Sequence, residues 1–149
     1  MAKRSFIAVN GSLLAARSAL QYGVSCHLAG GTHHSHFDFG SGFCVFNDLA
    51  FTALTLTKTK EVKNILIFDC DVHQGDGTAR ILENNDRTFT CSIHSSKNFP
   101  YRKANSDLDI GLEDNMSWFG YKKHLLEGLN KCIERFSPDL VLYLSLIHI

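Results

Sequence analysis

The stretch 65–77 constrains the fold of this chain more than any other. Its first four residues are apolar, Asp69, Asp71 and His73 follow at alternate positions, and Asp76 stands between two glycines. Alternate residues of a strand point to one side, so the polar side chains after the apolar run can converge. Capping the next helix would need only one acidic residue. Several convergent polar groups instead need a cation or several hydrogen bonds to stabilise them. The pattern therefore predicts a buried strand that ends in a site for zinc or another divalent transition metal.

Apolar periodicity predicts strands that alternate with helices along most of the chain. The predicted helices cover 13–20, 45–58, 78–83 and 118–136, and the predicted strands cover 24–28, 65–68, 88–94 and 139–143. This alternation indicates an α/β fold in which helices flank a parallel sheet, and in which functional sites lie beyond the carboxyl ends of the strands. The long loop 95–117 is a further functional candidate.

Length and composition fit one domain, 1–149, and exclude several classes of function. The chain has 149 residues, of which 44% are hydrophobic, so it can bury a core. Fifteen basic residues balance fifteen acidic ones without a basic run, so we expect no direct nucleic-acid binding and no membrane association. Five cysteines without a Cys-x-x-Cys pair predict reduced thiols and a cytoplasmic location, or a nuclear one in a eukaryote. The sequence does not indicate an oligomeric state.

Residues 30–42, the histidine loop, carry four glycines and three histidines and admit two catalytic interpretations. The first is the His-x-His-x-Asp-His motif of metallo-β-lactamase-type hydrolases, which matches at His34, His36 and Asp38. Phe39 stands at the last position of that motif and removes one of its metal ligands.

The second interpretation joins motifs that follow one another along the chain. They are His33-His34, Gly42-Phe43-Cys44 and the acidic run 69–76, with further agreement at Ser92-Ile93-His94, Phe99-Pro100 and 106–110. In this order and spacing they resemble the zinc-dependent histone deacetylase superfamily, and most closely its bacterial and class IV-like branch. The resemblance is strongest over 11–143, and it implies the arginase-deacetylase fold, here as an incomplete domain.

The resemblance implies a catalytic role for two imidazoles and the carboxylates behind them. His34 is expected to transfer protons, oriented by Asp76, and His33 is expected to act electrostatically beside it, oriented by Asp69. Each carboxylate would fix the tautomer of its imidazole and raise its basicity. We therefore expect hydrogen bonds from His34 to Asp76 and from His33 to Asp69.

The resemblance also implies two cations. Asp71 and His73 are expected to bind Zn2+, which activates water for attack on an amide carbonyl in catalytic sites. A monovalent cation, usually K+, is expected beneath the zinc, at Asp69, Ser92 and Ile93 and again at Asp71 and His73, partly through backbone carbonyl groups.

Gly42, Phe43 and Phe99 are expected to line a narrow apolar channel for the methylene chain of the substrate. The implied reaction is hydrolysis of an acetylated amine, either acetylated lysine in a protein or a small acetylated amine, to the free amine and acetate. Two alternatives stay open. One is a catalytically silent module that binds acyl-lysine, and the other is an arginase-like ureohydrolase, which would use a two-metal carboxylate set.

Residues 144–149 depart from the family pattern. The family's third zinc ligand falls on His148, and Leu144 and Leu146 replace small residues that let the loop approach the metal. The family's oxyanion-stabilising tyrosine is not matched in this sequence. From these departures we expect weak zinc binding and little or no turnover from the chain as given.

Overall fold

A computed structural model describes residues 2–146 of the chain. The predicted class is confirmed, because a four-stranded parallel sheet is flanked by helices. The elements in chain order are α1 (Ala2–Tyr22), α2 (Asp48–Lys58), β1 (Ile65–Asp69), α3 (Asp76–Leu82), β2 (Thr88–Ser95), β3 (Leu108–Leu112), α4 (Trp118–Arg135) and β4 (Leu140–Leu144).

The strand order β3-β2-β1-β4 places β1 where the direction of winding reverses. The chain runs from β1 outward to β2 and β3, and then returns through α4 to place β4 on the other side of β1. Asp69, the last residue of β1, is aligned with Ser92 of β2 and with Leu144 of β4. Ligands of parallel α/β sheets bind beyond the carboxyl ends of strands at such a reversal, so the fold favours a site next to Asp69.

Two apolar cores cover the two faces of the sheet. Ile65 and Ile67 of β1 pack with α1, α2 and α3, whereas Leu66 and Phe68 pack with β2 and α4. Successive residues of a strand point to opposite faces, which explains why every residue of β1 is buried. The apolar run of β1 therefore leaves the end of that strand as the place where its carboxylates can lie.

The predicted strand 24–28 is wrong, because this segment has no regular structure and pairs with no strand. Its apolar side chains are exposed, Val24 by 82% and Leu28 by 95%, so they join no core that could hold a strand in place. The first helix is also longer than predicted. Val9 is buried on the same stripe as Leu13 and Ala16, so the apolar face of α1 begins a turn before the predicted start.

The loop predicted at 95–117 contains a strand, β3, which pairs with β2 from Cys91 and Leu108 onward. Its alternate side chains are only partly buried, and Gly111 interrupts its apolar pattern, so its sequence lacks a strong strand signal. The second helix begins at Asp48, three residues later than predicted, because Asn47 caps it. The remaining boundaries agree with the predicted ones to within about two residues, which is the usual uncertainty of helix and strand ends.

None of the helices within residues 2–146 combines the length and the apolar character that crossing a membrane requires. All five cysteines are free thiols. Cys70, Cys91 and Cys132 lie in the core beneath α4, while Cys26 is exposed.

We predict that Thr52→Val stabilises the protein by about 1 kcal/mol, because a buried hydroxyl without a partner costs free energy that an isosteric methyl avoids. Thr52 lies on α2, and its Oγ1 is the one buried side-chain polar atom among the described residues without a hydrogen bond. The free energy of unfolding in urea measures the effect. Thr57→Val on the same helix is the control and should gain less, since the Thr57 hydroxyl donates to the Ala53 carbonyl at 2.8 Å. An equal or larger gain at Thr57 would contradict the explanation.

Candidate active site

The predicted polar cluster lies at the carboxyl end of β1, where the sheet reverses its winding. Asp69 closes the strand, Asp71 and His73 follow in the connecting turn, and Asp76 begins α3. The histidine loop crosses this end of the sheet, and the Thr78 N–H of α3 donates to the His33 carbonyl at 3.0 Å. Two distant segments of sequence are therefore brought together, as the motifs predicted.

The first imidazole–carboxylate pair joins His33 to Asp69. His33 Nδ1 lies 2.6 Å from Asp69 Oδ2, and both side chains are buried. An ionised carboxylate can only accept, so Nδ1 carries the proton in this hydrogen bond. The second oxygen of Asp69 accepts from the Asp71 backbone N–H at 3.0 Å. A Cβ on Gly75 would collide with this carboxylate, so the glycine after Gln74 is what lets the chain turn so closely.

The second pair joins His34 to Asp76. His34 Nδ1 lies 2.7 Å from Asp76 Oδ1, and His36 Nε2 lies 3.3 Å from the other oxygen. Both predicted hydrogen bonds, His33 to Asp69 and His34 to Asp76, are therefore present. The rings of His33 and His34 are only 4.1 Å apart, so two imidazoles with separate carboxylates face one small volume.

Buried charge shifts the pKa of two members of these pairs. Burial alone would lower the pKa of His33, but the negative charge and hydrogen bond of Asp69 outweigh it, so the pKa is raised. Burial alone would raise the pKa of Asp76, but the hydrogen bond and charge of His34 outweigh it, so the pKa is lowered. The raised pKa favours the protonated ring of His33, and the lowered pKa favours the ionised carboxylate of Asp76.

Asp71 and His73 offer the donor atoms that a catalytic zinc site uses, a carboxylate oxygen and an imidazole nitrogen. Asp71 Oδ1 lies 3.0 Å from His73 Nδ1, and His33 Nε2 lies 3.8 Å from the same oxygen. Two ligands at about 2.0–2.2 Å from a tetrahedral zinc ion stand roughly 3.3–3.6 Å apart, so these two groups, which are hydrogen-bonded to each other, would separate slightly to hold one metal ion. Within residues 2–146 no group of three such side chains converges, and His148 lies outside the described residues.

Two of the three predicted channel residues, Phe99 and Gly42, lie against His34. Phe99 contacts the His34 ring edge to face, with ring centroids 4.9 Å apart, and lies 6.1 Å from the His73 ring. Gly42 lies so close to His34 that a Cβ would collide with the imidazole. Phe43 is fully exposed and follows Gly42 in a tight turn closed by hydrogen bonds between Ser41 and Cys44.

The backbone of this turn is unusual for its sequence. Gly42 and Phe43 have φ angles of 52° and 62°, and positive values at both central positions characterise type I′ turns. Glycine or asparagine is preferred there, because a larger side chain in the left-handed region costs roughly 1–2 kcal/mol. Phe43 is thus held in a strained conformation with its ring directed into solvent beside the site.

Two of the residues expected at the monovalent cation, Ser92 and Ile93, lie on the adjoining strand β2. Ser92 is aligned with Asp69 across β1 and β2, and its hydroxyl lies 3.0 Å from His94 Nδ1. Burial lowers the pKa of His94, which favours its neutral form beside that hydroxyl. The Ile93 side chain packs in the core beneath α4, so Ile93 could reach a cation only through its backbone carbonyl group.

The metallo-β-lactamase interpretation does not fit this geometry. His34 and His36 both bind the carboxylate of Asp76, and Asp38 is exposed at the surface of the loop. The ring of His36 stacks on Phe39 at 4.3 Å, the residue that interrupts that motif. This half of the histidine loop supports Asp76 instead of presenting a second metal-binding triad.

Sequence reasoning missed several polar residues that support the site. Gln74 is fully buried, and its amide donates to the Ala104 carbonyl and to Asp109 and accepts from the Ala104 N–H, at 2.8–2.9 Å. It thereby ties the turn after β1 to the loop that carries Phe99. Asn47 and Asp48 bond to the histidine loop from the start of α2. The signal that could have identified them is a helix-capping Asn-Asp pair directly after the loop.

The histone deacetylase domain family matches residues 1–145 of this chain. An uncharacterized protein of a Picosynechococcus species is 45% identical over 141 residues, which make up 95% of this chain and 47% of that protein. Acetoin utilization protein AcuC of Staphylococcus aureus is 34% identical over 129 residues, 78% of this chain and 33% of that protein. Histone deacetylase 2 of Arabidopsis thaliana is 28% identical over 138 residues, 91% of this chain and 36% of that protein.

Solved structures agree with these sequence relationships. The crystal structure of an HDAC homolog from Aquifex aeolicus superposes with a TM-score of 0.81 at 25% identity, over 93% of this chain and 41% of that one. An HDAC homolog complexed with SAHA matches equally well. The chain therefore spans half or less of the length of the proteins it matches.

We predict that Asp69→Asn lowers the pKa of His33, because Asp69 contributes most to raising it and the amide carries no charge. An NMR titration of the imidazole nitrogens of the isolated chain measures this. Asp76→Asn is the matched control and should lower the His33 pKa less, since its charge acts on His33 more weakly than that of Asp69. An equal effect of the two substitutions would show that the close pairing of His33 with Asp69 is not what sets the pKa.

Proposed function

This chain belongs to the histone deacetylase family, and we propose that the protein hydrolyses the amide of an acetylated amine, such as an acetyl-lysine side chain. The observation that carries the proposal is the pair of buried imidazole–carboxylate units with rings 4.1 Å apart. The products are the free amine and acetate. The substrate is either an acetylated lysine of a protein or a small acetylated amine.

His34 is the proposed proton-transfer residue. Its Nδ1 donates to Asp76 at 2.7 Å, which leaves Nε2 as the ring nitrogen that can accept a proton. That nitrogen takes a proton from the attacking water and later returns one to the departing amine. Such general acid–base catalysis contributes typically about 10²–10⁴-fold.

His33 is proposed to stabilise negative charge that develops on the attacked carbonyl oxygen. The pKa of His33 is raised, against the effect of its burial, by the charge of Asp69. A ring that keeps its proton at higher pH offers a positive charge in a place from which water is excluded. Electrostatic stabilisation of this kind is often the largest contribution to catalysis.

Asp71 and His73 are proposed to hold a zinc ion, with a further ligand from outside the described residues. When bound, zinc supplies a Lewis acid and lowers the pKa of its water to roughly 7. For the monovalent cation, usually K+, we propose Asp69, Ser92 and Ile93 together with Asp71 and His73. Asp69 and Ser92 are aligned on neighbouring strands, which supports a shared site for these two.

Gly42, Phe43 and Phe99 are proposed to form the apolar walls that receive the acetylated side chain. The ring of Phe99 packs against His34, and the exposed Phe43 follows directly after Gly42. The free thiols fit a reducing compartment, so we propose a cytoplasmic location.

We predict that His34→Ala lowers kcat for a fluorogenic acetyl-lysine peptide by about 10²-fold or more in the full-length protein, because the proton-transfer group is lost. Steady-state kinetics with purified, zinc-loaded protein measure the effect. His124→Ala on α4 is the matched control, a partly buried histidine in another part of the fold, and it should retain kcat. Retention of most of the rate by His34→Ala would contradict the proposed role.

A second candidate is a catalytically silent module that binds acyl-lysine. It is favoured by one observation, that no group of three His, Cys, Asp or Glu side chains within residues 2–146 is arranged to hold a metal ion. The same assay separates the candidates. Saturable binding of the acetyl-lysine peptide without any zinc-dependent release of acetate would favour the silent module.

We predict that Phe43→Asn stabilises the fold by about 0.5–1 kcal/mol, because asparagine tolerates the left-handed conformation better than phenylalanine. The same substitution should raise KM for the acetyl-lysine peptide roughly fivefold or more, because an apolar wall is lost. Urea unfolding and steady-state kinetics measure the two effects. Lys60→Asn is the control, since Lys60 has a φ of 61° beyond the end of α2, and it should gain stability without a change in KM. An unchanged KM for Phe43→Asn would remove Phe43 from the channel.

A further inference from the structure

We propose that Asn47 is a positioning residue, whose carboxamide sets the places of the catalytic imidazoles by holding the backbone on both sides of His34. Its Nδ2 donates to the His33 carbonyl at 3.2 Å and to the Ser35 carbonyl at 3.0 Å. The inference rests on the proposed function, because it assigns a support to the residues that the proposal makes catalytic. Asn47 itself is buried and does not contact the reacting groups.

The orientation of the Asn47 amide follows from its partners. The Ala50 N–H can only donate, so the group 2.9 Å away from it is the side-chain oxygen of Asn47. The carbonyls of His33 and Ser35 can only accept, so the group facing them is the side-chain nitrogen. One planar amide therefore caps α2 at one end and binds the histidine loop at the other.

A helix cap does not require a carboxamide. Serine and aspartate cap about as well as asparagine, and Ser117 caps α4 in this same protein with its hydroxyl. Neither of those residues has an N–H group that could serve two carbonyl oxygens. The choice of asparagine is therefore explained by the histidine loop and not by the helix.

Asp48, the first residue of α2, also binds the backbone of the histidine loop. The carboxylate of Asp48 is fully buried and accepts from the N–H groups of Gly31 and Thr32 at 2.9 and 2.7 Å, and also from the Ser12 hydroxyl. Asn47 and Asp48 together bind the backbone before and after the histidine pair. Asp69 and Asp76 thus hold the imidazole rings of His33 and His34, and the start of α2 holds the backbone that carries those rings.

The histidine loop packs so closely on α3 that, without these bonds, it can relax only away from that helix. A Cβ on Gly77 would collide with the backbone of His34 and Ser35, so the loop lies directly on the first turn of α3. Loss of the two Asn47 donors leaves the Ser35 carbonyl without that partner, and any relaxation away from α3 carries the His34 ring with it. Displacements of about 1 Å of catalytic groups cost roughly 10²-fold in rate at other sites.

The test replaces Asn47 with residues that keep the cap and lose the amide. Asn47→Asp retains an oxygen for the Ala50 N–H and adds a charge that the start of a helix favours, but turns a second oxygen toward two carbonyl oxygens. Asn47→Ser keeps the cap without adding charge. In the isolated chain, we expect the hydrogen-bonded imidazole N–H signals of His33 and His34 to shift or broaden in both variants.

In the full-length protein, both variants should lower kcat for the fluorogenic acetyl-lysine peptide by roughly 10- to 100-fold, with KM changed much less. Ser117→Ala is the matched control, because it removes the cap of a remote helix: it should lower the midpoint of thermal unfolding without moving the imidazole signals or kcat. The midpoints of Asn47→Asp and Asn47→Ser should fall further than that of Ser117→Ala, because buried carbonyl groups lose their donors, but both variants should remain folded.

Unchanged imidazole signals and kcat in both Asn47 variants would overturn the proposal and leave Asn47 as a cap. Unfolding of both variants while Ser117→Ala remains folded would also overturn it, since the residue would then be needed for the fold itself. Absence of turnover in the wild-type protein would count against the proposed function alone, because the imidazole signals still report whether Asn47 places the rings.

Discussion

The hydrogen bonds from His33 to Asp69 and from His34 to Asp76 are the constraint on which the site depends. They connect a loop without regular structure to the last residue of β1 and the first residue of α3. A buried carboxylate is stable only when donors surround it, so each of these acids requires its imidazole, and each imidazole is oriented by its acid. The loop is therefore fixed by the same bonds that prepare its rings for chemistry.

The position of these bonds follows from the sheet. β1 is buried on both faces by apolar side chains, so carboxylates are tolerated only where the strand ends. The close approach of the loop then depends on glycine. Gly75 lies against Asp69, and Gly77 lies against the backbone of His34 and Ser35, where a Cβ would collide. The glycines on either side of Asp76 are thus explained by packing, and the acid between them by hydrogen bonding.

The sequence predicted the parts of this arrangement that depend on short, regular patterns. β1 follows from four consecutive apolar residues, whereas the pairing of Asp69 and Asp76 with the two histidines was implied by the resemblance to the deacetylase family. β3 could not be predicted, because its stability comes from pairing with β2 and not from its own apolar residues. The predicted strand 24–28 failed for the opposite reason, since its apolar residues have no partner strand. Gln74 and Asn47 were missed because most of their partners, including backbone carbonyl groups, are distant in sequence.

The site divides into groups that are already bonded and groups that face solvent. The imidazoles, their carboxylates and Asn47 have their hydrogen bonds in place, so a substrate gains little by contacting them until charge develops in the reaction. Phe43 is different, because its ring is exposed and loses contact with water only when something binds against it. Under the proposed function, substrate binding therefore offsets the strain at Phe43, whereas the precision of the histidine loop takes effect only in the transition state. Substitution of Phe43 should then act on KM, and substitution of the groups that hold the histidine loop in place should act on kcat.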